Sequence, residues 1–468
     1  MQTDCTPIQL EFQALGRRSV EAKFDAGLVT SDGGGLLLRE SALAMGMMER
    51  VALCFQDFRD PSRREHDLRT LVSQRIYALA LGYEDLNDHD QLRRDPLLAV
   101  LTGLEDPLGQ GRSRERDRGC ALAGKSTLQR LEQCPSCAEG DRYHRITYDS
   151  QALDRLFCEF FLESYAHEPR QIILDLDATD DPVHGGQEGR FFHGYYGHYC
   201  FLPLYVFCGE HLLRARLRPS NIDASAGTVE ELAPLVEQIR KRWPKVQIIL
   251  RADSGFAREQ IMGWCEENGV DYVFGLAKNP RLVRKLAREM KRARRAYART
   301  GKAARCFRAF RYRTRETWSR ARRVVGKAEY LEKGPNPRFV VTSLETTPPQ
   351  DLYEYIYCAR GEMENRIKEQ QLDLFADRTS AASMRSNQLR LYFSSLAYVL
   401  LQHLREFGLR GTELARAQCG TIRLKLLKIG ALVSVSVRRI RFRMASGYPY
   451  VALFGQILAI LRHSLSPG

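Results

Sequence analysis

The chain has 468 residues, 44% hydrophobic and 27% charged, which suits a globular protein of several domains at roughly 100–200 residues each. No apolar run approaches the ~20 residues of a membrane helix, and the longest, Leu391–Leu404, is broken by Gln402 and His403. The formal net charge of +14 points to polyanionic partners and away from basic ones.

The first residues, MQTDCTPIQLEFQ, carry Asp4 and no basic-then-apolar leader pattern, so a cytoplasmic location is expected. Residues 1–165 read as mainly helical after an irregular start. Ser31–Glu40 is a turn and a helix entry, and Glu65–Asp85 has Leu68, Leu71, Val72, Ile76 and Leu79 at helical spacing. Ser126–Cys134 reads as a short helix capped by Ser126. Cys134 and Cys137 form the one tight cysteine pair. Only Cys120 and His144 lie near enough to complete a zinc site, so a turn with incidental thiols is the better reading. The other cysteines are scattered, mostly in apolar runs, as reduced buried thiols are.

From Gln171 the pattern changes to strands. QIILDLD is the first, Tyr199–Cys208 the second and His211–Pro219 the third, with the second and third joined by a hairpin at Gly209–Glu210. Thr228–Trp243 is an amphipathic helix. Val246–Asp253 is the fourth strand, Ala257–Gly269 a helix closed by glycine, and Asp271–Ala277 the fifth strand. Arg281–Lys327 then holds 19 Lys/Arg against two acids, more than the whole positive excess of the chain. Aromatics thread through it (Tyr297, Phe307, Phe310, Tyr312, Trp318), which suits phosphate contact. A helix is expected over about 281–298, then strand pieces at AFRYRTRETW and PRFVVTSL. Leu352–Ala376 leads into a helix, and the tail is helical with one alternating piece, Val433–Met444.

Two strands end in acid: the first at Asp175 and Asp177, the fourth at Asp253 in RADSGF. A third acid, Glu364, sits on the helix after the basic segment. Converging carboxylates repel one another unless a cation joins them, and their hard oxygens suit Mg²⁺ or Mn²⁺. Two such ions activate a water or 3′-hydroxyl and stabilise the leaving oxygen of a phosphodiester. Tyr357, Arg360, Glu364 and Lys368 step by three, four and four, so they share one face where helical. Asp175 and Asp177 lie on one face of their strand, so alternation does not choose between them. Asp180, Asp181, His184 and Glu188 read as loop residues outside the site.

This order of strands and acids resembles the DDE transposases of bacterial insertion sequences, in the branch with an inserted domain. The resemblance rests on DLDAT as the Asp-x-Thr of the first strand, on RADSGF, and on YCARGEMENRIKEQQ as the Tyr-Arg-Glu-Lys signature. Tyr357, Arg360 and Glu364 fall on its spacing, while Gln371 stands where it has Lys. The resemblance implies an α/β fold: an RNase H-like core of the retroviral integrase superfamily with a five-stranded mixed sheet. It implies boundaries at 1–165 (helical, DNA-binding), 166–280 (core), 281–350 (basic inserted domain), 351–385 (core with Glu364) and 386–468 (helical). It further implies Asp177, Asp253 and Glu364 as catalytic metal ligands for Mg²⁺, with Mn²⁺ as substitute, and Tyr357, Arg360 and Lys368 on DNA. The expected partners are double-stranded DNA, as element inverted repeats and as target, and a second copy in a synaptic dimer. Bound to DNA, such a protein would sit on the bacterial nucleoid. No membrane partner is implied. Asp175 is then a hydrogen-bonded neighbour of the site.

One rival fits a pattern in full. Gly119–Ser126, GCALAGKS, satisfies G-x-x-x-x-G-K-S, and QIILDLD could serve as its Walker B strand. A phosphate loop must follow a strand, and GQGRSRERDR before it has no alternation. A DNA-binding protein without chemistry would need only the basic segment and leaves the three acids unexplained.

Overall fold

The apolar run after Arg170 forms strand β1 (Gln171–Ala178) at the centre of a nine-stranded mixed sheet. The computed structural model describes residues 9–137 and 142–463. Asp149–Ser395 forms one compact unit and holds the whole of this sheet. Its other main strands are β2 (Leu204–Cys208), β3 (His211–Arg216), β4 (Gln247–Ala252), β5 (Asp271–Leu276), β6 (Ala304–Tyr312), β7 (Arg322–Leu331) and β8 (Arg338–Thr342). Their spatial order is β3-β2-β1-β4-β5-β8-β7-β6, and the short strand Gly334–Pro335 pairs with β7. β1, β4 and β5 run parallel; β2 runs against both β1 and β3.

Alternation along β1 sorts its side chains by face. Ile172, Leu174 and Leu176 join the larger core with α1 (Ser150–Glu163), α2 (Thr228–Arg242) and α3 (Glu259–Glu267). Ile173 packs on the other face with Ile249, Val273, Val325 and Val340, under Leu352 and Tyr353. Asp175 and Asp177 keep this second register. The segment bearing Glu364 covers that face.

Several expectations change on folding. The second strand divides at Pro203, which has no N–H for a ladder. His198–Phe201 pairs instead with Asp181–Pro182 and Phe191–His193 in a separate small sheet. Asp181 is therefore no loop acid: it is 1% exposed. The basic segment does not leave the sheet. β6, β7 and β8 extend it from β5, so the expected five strands are part of a longer sheet. β7 escapes the sequence pattern because arginines and a glycine interrupt its apolar residues. It is buried because Arg322 is matched by Glu259 and Glu266 at 2.6 and 2.8 Å. The helix expected over 281–298 breaks at buried Leu286 into Pro280–Lys285 and α4 (Ala287–Thr300).

The second unit joins Met1–Tyr148 with Leu396–Gly468. Its described start is an exposed hairpin, Leu10–Leu15 with Arg18–Ala22. Helix Leu68–Leu81 is capped by Asp67 and closed by left-handed Gly82. Helix Lys125–Glu132 begins at Gly124, so Ser126 is not its cap. The alternating tail piece folds as a hairpin, Ala431–Ser436 with Arg439–Met444, whose first strand pairs with Val29–Thr30.

Candidate active site

β1 and β4 place three charged side chains on one face of the sheet. Asp175 stands opposite Arg251 in the parallel register. Arg251 Nε and Nη2 donate to Asp175 Oδ1 and Oδ2 at 2.5 and 2.6 Å, and its Nη1 donates to the Ile356 carbonyl at 2.5 Å. Burial pushes the Asp175 carboxyl up, and the two-pronged guanidinium pulls it back. Asp175 is thus fully occupied by a structural pair.

Asp177 is held less completely. Its Oδ1 accepts from Ala178 N at 3.0 Å, and its Oδ2 faces Arg360 Nη2 at 3.3 Å. The same Nη2 donates to Glu364 Oε1 at 2.9 Å. The oxygens of Asp177 and Glu364 are therefore no farther apart than those two distances end to end. The Asp177 carboxyl is raised to about 6: burial pushes it up, Arg360 pulls it down, and the charges of Asp253 and Glu364 push it up. The charge of Asp253 also acts on Arg360, so all three acids favour its charged guanidinium.

Asp253 follows β4 and caps the turn Ser254–Phe256, its Oδ1 accepting from Gly255 N at 2.8 Å. Capping uses one carboxylate oxygen; Asp253 Oδ2 has no hydrogen-bond partner among the described residues. Glu364 and Arg360 come from an irregular helical path. Leu352–Tyr357 is π-helical, Cys358–Arg360 is 3₁₀, and α5 (Gly361–Leu374) is regular. The single α-helical face expected for Tyr357, Arg360 and Glu364 therefore holds only from Gly361 onward. The irregular turns still bring Tyr357 and Arg360 to the acids, and such irregularities collect at functional sites. Tyr357 is seated by a missing side chain: a Cβ on Gly275 would lie 2.6 Å from its hydroxyl. Lys368 is exposed on α5 and pairs with no carboxylate among the described residues. Gln371 donates to the Asp180 carbonyl at 3.2 Å.

Sequence reasoning missed Arg251 and Gly275. A lone arginine inside IILRA signals a buried partner, and a glycine inside DYVFGL signals a close approach.

The donor set is right for a hard divalent ion in chemistry, being all carboxylate oxygen. Among the described residues no three acids or histidines stand at ligand spacing, and Arg360 occupies the space between the acids. Asp177, Asp253 and Glu364 are the residues that would hold such an ion, which would supply Lewis-acid chemistry there.

The other sequence candidates are accounted for. The G-x-x-x-x-G-K-S segment follows the 3₁₀ turn Glu115–Asp117, with no strand before it. Lys125 Nζ is engaged by Asn87 at 3.2 Å and Asp90 at 3.4 Å. Cys120 and Cys134 are buried and Cys137 exposed, with no metal cluster among the described residues. No helix of the described residues is long and apolar enough to cross a membrane.

Among curated proteins none matches the sequence. Among solved structures, a cryo-EM structure of a piggyBac transposase synaptic complex with hairpin DNA matches at a TM-score of 0.39 and 10% identity. The match covers 94% of this chain and 82% of that one. The family described as "Transposase DDE domain group 1" matches residues 12–466, nearly the full length, and the chain belongs to that family of DNA transposases.

Proposed function

We propose that Asp177, Asp253 and Glu364 are the catalytic triad of this transposase, cutting element ends and joining them to target DNA. The observation that carries the reading is Arg360, whose one nitrogen reaches both Asp177 and Glu364 while Asp253 acts on it through space. Members of the DDE family use divalent metal ions; here the three carboxylates would hold two Mg²⁺, with Mn²⁺ as substitute. Such ions, when bound, supply an activated water or 3′-hydroxyl and stabilise the leaving oxygen.

The chain's own residues do the rest. Arg360 screens the acids from one another in the free protein and offers its planar fork to the scissile phosphate when DNA enters. Tyr357, seated at Gly275, orients the adjoining backbone. Lys368 contacts a neighbouring phosphate in place of the family lysine, since Gln371 is turned to Asp180. Asp175 and Arg251 are positioning residues that fix β1 against β4.

We read β3-β2-β1-β4-β5, with only β2 reversed, as an RNase H-like core. On α4, Arg288, Lys291, Arg292, Arg294, Arg295 and Arg299 are exposed and pair with no carboxylate among the described residues. That array suits the phosphates of element ends. The source is an insertion sequence of a bacterium, and the working form is a homodimer holding two ends.

The test is Mg²⁺- or Mn²⁺-dependent nicking of DNA that carries an element end. Asp253→Asn abolishes it, whereas an ATP-dependent activity lost in Lys125→Ala overturns the reading. Inverted repeats flanking the gene, bounded by short direct duplications, supply the substrate.

A further inference from the structure

Between β1 and β2 the chain leaves the sheet and builds a hairpin that the catalytic triad does not use. Phe191–His193 pairs with His198–Phe201, and the turn between them is Gly194-Tyr195-Tyr196-Gly197. Gly197 N donates to the His193 carbonyl at 2.8 Å, and Gly197 adopts φ +78, a left-handed conformation that glycine takes at least cost. The turn carries aromatic rings where solvent-facing turns carry polar groups. Tyr195 is 87% exposed, Phe192 58% and Tyr199 48%. Phe192 meets Tyr199 edge-on at 5.7 Å, Tyr195 meets Tyr196 at 5.0 Å, and Arg190 lies over the Tyr199 ring at 4.7 Å. Arg190 has no carboxylate partner among the described residues.

The hairpin is tied to its surroundings at its root. Ser220 donates to the Phe191 carbonyl at 2.9 Å, Glu188 N to the Ala382 carbonyl at 2.9 Å, and Met384 N to the Glu188 side chain at 3.0 Å. His198 is tied to Asp180 at 2.8 Å, three residues beyond Asp177. Burial pushes the Tyr196 phenol up, and the charges of Asp180 and Asp177 add to the shift. Through His198 and Asp180 this aromatic surface, with its unpaired arginine, is anchored to the segment that follows Asp177.

Exposed rings lose free energy in water unless something covers them. A DNA backbone cannot, because phosphates need donors and the rings have few. Bases can, once unpaired, because every base presents a π-face and Arg190 answers the adjacent phosphate. We propose that the Arg190–Tyr199 hairpin is a stacking platform for unpaired nucleotides beside the scissile phosphate. This rests on placing that phosphate at Asp177.

The test compares two DNAs in fluorescence anisotropy with the full chain: a blunt duplex, and the same duplex with a single-stranded oligo(dT) extension. Wild type binds the extended DNA about tenfold more tightly, on the scale of one stacked base. The double variant Phe192→Ala, Tyr195→Ala loses that gain and keeps its blunt-duplex affinity. Tyr195→Phe, which retains the ring, keeps the gain. Both side chains are exposed, so neither change removes core packing. A wild type that binds duplex but shows no gain overturns the proposal, as does a gain that survives the alanine pair. If the alanine pair instead turns a DNA-free dimer into a monomer, the hairpin belongs to a second copy and the proposal falls. A chain that binds neither DNA brings down the transposase site itself, and this inference with it.

Discussion

Asp175 and Asp177 lie two residues apart on one strand, on one face, each against an arginine, yet they are held differently. Asp175 takes both prongs of Arg251, which also bonds a backbone carbonyl. Asp177 has one contact at 3.3 Å with an arginine it shares with Glu364. Both oxygens of Asp175 are engaged by one buried guanidinium, and such a pair is the kind that holds a fold in register. Asp177 keeps a free lone pair and a counter-charge that can leave. Completeness of pairing, rather than burial or position in the strand, separates Asp175 from the acid we propose as catalytic.

The sharpest break of that comparison is activity. Asp177→Asn, Asp253→Asn or Glu364→Gln should each lower end cleavage by about 10²–10³-fold or more, read on a plasmid-nicking gel. Asp175→Asn should weaken it less; the reverse order would exchange their roles. Next is stability. Arg251→Met strands a buried carboxylate and should cost about 3–5 kcal/mol in urea denaturation, whereas Arg360→Met should cost far less.

Third, Asp177→Asn should stabilise the metal-free protein. The wild-type carboxyl is raised from 3.8 to about 6, so its contribution to stability is full below about pH 4 and is lost as pH rises through 6. Asparagine does not titrate. The variant should therefore gain up to about 3 kcal/mol above pH 6 and nothing below pH 4, a difference that a pH series of melting temperatures resolves. The smallest effect lies in the basic extension. Arg292→Ala or Arg295→Ala should reduce the salt dependence of DNA binding by about one unit of slope each, without altering cleavage chemistry.

The acids were legible in the sequence because carboxylates at the ends of apolar strands are costly enough to need a reason. The Tyr357, Arg360 and Glu364 spacing was legible as a helix face, although the π and 3₁₀ turns before Gly361 were not, since no residue type marks them. Strand β7 was hidden because its burial depends on Glu259 and Glu266, far away in sequence. The same holds for Arg251, whose meaning appears only when register sets it across from Asp175. Pro203 could have been read: a proline inside YCFLPLYVFC is a strand break.

The second unit is assembled from both sides of the catalytic one, with Val29–Thr30 pairing to Ala431–Leu432 and Lys428 reaching Asp32 at 2.6 Å. On the ribosome, residues 149–395 are therefore complete while their flanking unit still lacks its last third. The nuclease sheet can close first. The helical unit must wait, its early helices in want of partners, until the last strands have emerged. A nascent chain halted near Ser395 should protect the sheet from protease and leave the N-terminal helices open to it.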